Sequence, residues 1–192
     1  MPGTGKTQRV VLGAGKWYIA PYTSGALDME TAEEEDNLLG YTQGGATITF
    51  TPETYTIEDD IGMVRKTFQT KASAEMKTGL LTFTTDSLAA MLSVGQATQT
   101  PASASERGKT TLKLGGGKSA LKKFSVVFVY EDDETGFKTR IGMVATNTAP
   151  LELVFAKDAE TVVDVTFTAE SNGVDDTIIV IEEETAEATG DS

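Results

Sequence analysis

Two short segments carry the residue types of a phosphate-binding loop: Gly3-Thr4-Gly5-Lys6-Thr7 and Gly115-Gly116-Gly117-Lys118-Ser119. Such a loop cradles an anion with consecutive amides. It needs a glycine five positions before the second one, and a helix opening directly after it. At the first segment no residue stands where that glycine belongs. At the second the position is Leu112, and the chain from Leu121 onward reads as a strand. Both segments therefore read as a flexible tail and a glycine turn. Glu58-Asp59-Asp60 and Glu131-Asp132-Asp133-Glu134 offer oxygen ligands suited to calcium or magnesium, but lack the ligand spacing and turn glycine that build such a loop. They read as solvated turn acids. A pair of carboxylates acting on a glycoside meets only in three dimensions, and nothing in the sequence singles one out. Trp17 and Tyr18, between Gly15 and Pro21, have ring faces for a sugar or a base, yet aromatics beside a strand end more commonly anchor a core or an interface. No residue is assigned a catalytic, cofactor-binding or metal-ligating role.

The residues that are missing narrow the chemistry further. The 192-residue chain has no cysteine and no histidine. That removes disulfides, thiolate metal sites, cysteine nucleophiles and the commonest general base. Remaining enzyme chemistry would rest on carboxylate, lysine or tyrosine, and the expectation is a non-enzymatic protein without cofactors. The net charge of −13 opposes tight wrapping of nucleic acid and docking on an anionic membrane. No apolar run is long enough to span a bilayer, and the N-terminal residues lack the apolar stretch of an export signal. Synthesis in a cytosol is the expectation.

The elements that must carry these residues are strands. Threonine, which suits the half-exposed face of a pleated sheet, occurs 30 times. Ala46–Phe50, Tyr55–Ile57 and Val163–Ala169 alternate apolar and polar residues, the signature of one buried and one polar face. Leu121–Tyr130 contains a continuous apolar run, so it predicts a strand covered on both sides. The acidic turn Asp132–Gly136 then leads into a returning strand, Phe137–Thr146, completing a hairpin. Leu151–Phe155 and Thr177–Ile181 predict further strands, the latter after a turn at Asn172-Gly173. One helix is expected, capped by Thr85 or Asp86, with Leu88, Met91 and Leu92 on one face and Val94-Gly95 closing it. The fold class is therefore mostly β: a β-sandwich with one flanking α-helix, in a single domain over residues 1–181. Tyr22–Asn37, with six acids, reads as a loop or arm. Residues 96–108 read as a flexible connector, and 182–192 as an acidic C-terminal tail, either disordered or an arm that orders only against a partner. The tetrapeptide Ile-Gly-Met-Val at 61–64 and 141–144 is too short to establish a duplicated sheet unit.

Charge is unevenly distributed. Residues 61–130 hold ten Lys/Arg and three acids, whereas the remainder holds six Lys/Arg and 26 acids. Two readings follow: independently solvated faces, or a basic region that meets an acidic surface on an identical neighbour. The second gives head-to-tail association into rings or filaments.

Four stretches, VVLGAGKWYIAP, GGATITFTPETYTIEDDIG, KTGLLTFTTDSLAAML and LELVFAKDAETVVDVTFTAESNG, together resemble in their order the major tail protein, or tail tube protein, of long-tailed bacteriophages. They are spread between residues 10 and 173. The resemblance implies a β-sandwich subunit that forms stacked hexameric rings, with part of each sheet joining a ring-wide β-barrel around a channel for DNA ejection. It implies partners as well: further copies of the chain, a tape measure protein, and tail terminator or baseplate proteins. DNA would pass without specific binding, there would be no membrane insertion, and the protein would lie in the virion tail after assembly in the host cytoplasm. Tyr22–Asn37, Arg65–Lys77 and Glu182–Ser192 become the segments expected to bridge rings. Lys66, Lys71, Lys113 and Lys122 are expected at subunit contacts, because a basic lining would slow DNA transit. An inner-tube protein of a contractile injection or secretion system resembles the same fold. A monomeric β-sandwich binding module and a carboxylate-dependent enzyme are the readings from other classes.

Overall fold

Period-two alternation produces strands here, and 53% of the described residues are strand against 9% helix. The computed structural model describes residues 15–61, 63, 65–82, 84–92, 96–103, 105–115, 121–153 and 162–185. Among these residues ten strands appear in chain order: β1 (Lys16–Pro21), β2 (Leu38–Gly40), β3 (Thr42–Glu58), β4 (Arg65–Leu80), β5 (Gln96–Thr100), β6 (Lys109–Lys113), β7 (Phe124–Glu131), β8 (Lys138–Asn147), β9 (Val163–Ala169) and β10 (Val180–Glu183). Two helices accompany them, α1 (Met29–Ala32) and α2 (Thr85–Met91), with a 3-10 turn at Glu35–Asn37.

The main sheet has the order β2-β1-β7-β8-β9-β4-β3, and all its pairings are antiparallel. β8 is the branch point. One of its edges pairs with β7, while the other is divided: Thr139–Gly142 pair with β10 and Ala145–Asn147 with β9. The sheet folds over from this branch. In a flat sheet β1 and β9 would be roughly 14 Å apart, three strand spacings. Instead the rings of Trp17 on β1 and Phe167 on β9 stack with centroids 6.3 Å apart. The sheet has closed on itself as a sandwich around Trp17, Ile19, Met76, Leu80, Val126, Phe128, Met143, Val165 and Phe167.

α2 seals this interior. Thr84 caps it: the Ser87 amide donates to Thr84 Oγ1 at 3.1 Å, and the Thr84 amide donates to Ser87 Oγ at 2.8 Å. The cap lies before both expected positions, Thr85 and Asp86, because only Thr84 has Ser87 at the reciprocal position. Leu88, Met91 and Leu92 are buried, as the spacing predicts. Pleating sends Tyr18, Val127 and Val129 to the opposite face of the sheet, where Met29 and Ala32 of α1 cover them. α1 lies directly on β8 at Gly142. A Cβ there would sit 2.5 Å from Met29 Sδ and 2.9 Å from Leu27 Cδ2.

Three expectations about irregular segments need correction. Tyr22–Asn37 is not a free arm, since α1 packs on its own sheet through Met29 and Ala32. Residues 96–108 are not a plain connector, since β5 pairs with β6 as a separate hairpin. The acidic tail does not begin at 182, since Glu182 and Glu183 pair with Arg140 and Thr139 in β10. Residues 151–153 form no strand. The two Ile-Gly-Met-Val copies differ in setting: 141–144 lie within β8, while Ile61 and Met63 lie in the β3–β4 turn. Gly3–Thr7, Gly116–Ser119, Val94-Gly95, 154–155 and 186–192 fall outside the described residues.

Gly40 links β2 to β3 at φ 148°, and a Cβ there would collide with the Thr82 carbonyl oxygen. Gly40→Ala should therefore lower stability by about 2 kcal/mol, through backbone strain and that clash. Denaturant unfolding reads this directly; a loss under about 0.5 kcal/mol would mean the junction relaxes freely.

Candidate assembly surfaces

The longest elements, β3 and β4, pair from Thr42↔Leu80 out to Glu58↔Arg65. Only the inner part of β4, Glu75–Leu80, also pairs with β9. Beyond Phe50↔Ala74 the two strands continue alone to Glu58↔Arg65, a ribbon roughly 30 Å long at about 3.4 Å per residue. Its residues are almost all exposed, and the far edge of β3 pairs with no described strand. A two-stranded ribbon in water is marginal without something to cover it.

The ribbon has two unlike faces. Cross-strand pairs Thr54↔Gln69 and Thr56↔Thr67 share one, and the threonine hydroxyls of the second pair meet at 3.0 Å. Tyr55↔Phe68 and Ile57↔Lys66 share the other. There Tyr55, Ile57 and Phe68 are 61%, 53% and 48% exposed, an apolar patch that no described residue covers. The cations of β4 are mostly matched on the ribbon itself, with Lys71 opposite Glu53 and Arg65 opposite Glu58. Lys77 bonds its neighbour Glu75 at 2.8 Å. Three of the ten cations in residues 61–130 thus have an acid opposite or beside them on β3 and β4. Lys66 faces Ile57, Lys113 is exposed on β6, and Lys122 is exposed before β7. Glu58, Asp59 and Asp60 lie at the ribbon tip.

A second cluster joins three segments distant in sequence. Arg140, buried on β8, donates from Nε to Glu33 Oε2 at 2.7 Å and from Nη1 to Glu184 Oε1 at 2.7 Å. Lys138 Nζ donates to Glu33 Oε1, and the Lys138 amide to Glu184 Oε2 at 3.0 Å. The cluster fastens the α1 segment and the end of β10 to β8. Burial pushes the Glu33 carboxyl up, but the bonds from Lys138 and Arg140 outweigh it and hold it below its ordinary value. The backbone bond from Lys138 and the Arg140 side chain lower Glu184 likewise. Both carboxyls have depressed folded-state values, so their contribution is full above the unfolded value near 4.3 and is lost as pH falls through the folded one. Glu33→Gln should therefore flatten the fall in melting temperature below about pH 4.3 relative to the unmodified protein. Parallel acid profiles for both would exclude the cluster as a source of acid sensitivity.

Asp132, in the other acidic run, has its carboxylate engaged by the turn: it accepts from the Glu134 amide, the Thr135 amide and Thr135 Oγ1. A cleft of about 480 Å³ nearby is lined by Lys16, Tyr18, Glu33, Glu131, Asp132, Asp133 and Lys138 among others. Glu33 and Lys138 within it bond each other. Among the described residues no group of three or more acids is placed to hold a metal ion, and no helix is long and apolar enough to cross a membrane. Trp17 and Tyr18 are core anchors on β1 rather than a ligand platform. Sequence reading missed the length of the ribbon and the convergence on Arg140. The exposed aromatic pair Tyr55 and Phe68 signals the ribbon only once its register is known. Comparison with known proteins adds no constraint on these surfaces: no protein-family model and no curated protein matches the chain.

Proposed function

We propose that the protein is a structural subunit that assembles with copies of itself into a tube, a tail tube of stacked rings serving as a conduit for DNA. One observation carries this reading: the β3–β4 ribbon, exposed on both faces, whose outer edge pairs with no described strand, and its apolar patch of Tyr55, Ile57 and Phe68. A long open strand edge templates pairing with another chain. Closing such edges into a ring removes every one of them at once. The unlike faces suit that position, with the Thr/Gln face toward water in a bore and the aromatic face against a neighbour. The resemblance to tail tube proteins supports the same arrangement, and the net charge of −13 suits a conduit that must not hold phosphate. Sedimentation velocity over a concentration series tests the proposal. It expects a shift from monomer to large species as concentration rises, and a single monomeric boundary at all concentrations overturns it.

A further inference from the structure

We infer that the outward face of the β5–β6 hairpin is a docking surface for a second copy of this chain, specifically for the acidic surface of its α1 segment. The inference rests on the self-assembly reading and identifies two of the surfaces that meet.

The hairpin alternates cleanly. On β6, Thr110 and Leu112 are half-buried, with Leu112 packed against the main core, while Lys109, Thr111 and Lys113 point outward and are exposed. Their cross-strand partners include Thr100 opposite Lys109 and Thr98 opposite Thr111. The two strands contain no acid, so the face is cationic and hydrogen-bonding throughout. Neither lysine forms an ion pair among the described residues.

The complementary surface is on the same molecule but the opposite side. Residues 22–37 contain six acids and no Lys or Arg. Two of the six are engaged within the subunit: Asp28 caps α1 through the Thr31 amide at 3.0 Å, and Glu33 bonds Arg140. Glu30, Glu34, Glu35 and Asp36 remain exposed, with no ion pair among the described residues. α1 packs on the face of the sheet that carries Tyr18 and Val127, whereas α2 and Leu112 pack on the face that carries Trp17 and Val126. Pleating makes these opposite faces. Within one subunit no ion pair among the described residues joins the two surfaces. A copy placed on top of it, in the same orientation, brings Lys109 and Lys113 against Glu30, Glu34, Glu35 and Asp36. Such a contact is head-to-tail and repeats without limit, which is the geometry stacking requires. Charge pairs of this kind set register and encounter rate.

The test is charge reversal read by sedimentation, with circular dichroism and the melting temperature confirming the fold. Lys109→Glu with Lys113→Glu should weaken association about tenfold at low salt. Adding Glu34→Lys and Glu35→Lys to the same chain should restore it toward the unmodified level. The unmodified protein should also associate less at 0.5 M than at 0.05 M NaCl, which tests the contact even where a variant fails to fold. If the unmodified protein assembles while hairpin reversal changes nothing, or association is indifferent to salt, the inference falls and the self-assembly reading stands. If the unmodified protein retards duplex DNA in a gel and the hairpin reversal abolishes this with assembly unchanged, the inference also falls and the face belongs to phosphate. If the unmodified protein never associates, both fall together.

Discussion

Replacing Trp17 by alanine should lower the melting temperature by about 8–16 °C, following a stability loss of about 4 kcal/mol. Trp17 is completely buried, tilted against Phe128 at 5.4 Å and stacked on Phe167 at 6.3 Å. It therefore bridges β1, β7 and β9 where the folded-over sheet closes. Truncation removes the largest fully buried side chain and leaves a void between strands that cannot collapse onto each other, since β8 holds them in one sheet. Trp17→Phe should cost much less. It keeps an aromatic ring and removes Nε1, a buried donor that has no hydrogen-bond partner among the described residues. Thermal melts of both variants check the pair. A Trp17→Ala midpoint within 3 °C of the unmodified protein would mean that this ring stack does not close the sandwich.

The second large effect concerns assembly and leaves the fold alone. Tyr55→Ser with Phe68→Ser should abolish association at concentrations where the unmodified protein forms large species, with the melting temperature changed by only a few degrees. The two rings sit opposite each other on the ribbon, outside the core. Buried centrally in a contact, each is worth about 2 kcal/mol, so losing both weakens one contact roughly a thousandfold. A ring multiplies that loss by its number of contacts. Sedimentation of the double variant beside the unmodified protein decides it. Equal association would show that the apolar patch faces solvent in the assembled state as well.

The two effects separate what was legible in the sequence from what was not. Val163–Ala169 is read to the residue because strict alternation leaves no other period, and β9 occupies that span. The β7–β8 hairpin follows from an apolar run, a turn of acids and a second apolar run. Local pattern suffices in both. Pro52 hides the unity of β3: it divides the sequence into 46–50 and 55–57, yet it is tolerated because β3 lies at an edge of the sheet, where a missing donor is harmless. α1 is hidden for a different reason. Four residues in an acidic stretch show no helical period, and what fixes them is Gly142, more than a hundred residues away, whose missing side chain makes room for Met29. β5 is hidden by composition, since Gln-Ala-Thr-Gln-Thr reads as a connector until Leu112 on its partner strand anchors the hairpin to the core. Arg140 is the extreme case. Its two carboxylates come from positions 33 and 184, and no local signal links the three. The candidate surfaces are likewise non-local, since exposure of Tyr55 and Phe68 depends on where β9 stops pairing with β4.

Register also revises the charge map. The excess of cations over residues 61–130 suggested a basic surface. On β4 it resolves into cross-strand matches, Lys71 with Glu53 and Arg65 with Glu58. Lys109 and Lys113 share one face of β6 without an ion pair among the described residues, and Glu30, Glu34, Glu35 and Asp36 share the surface of the α1 segment in the same state.

Negative-stain electron microscopy of the purified protein at high concentration is the most direct measurement. Annular particles and hollow stacked tubes are the predicted result. Uniform single subunits, with the β3–β4 ribbon still uncovered at every concentration, would contradict the account.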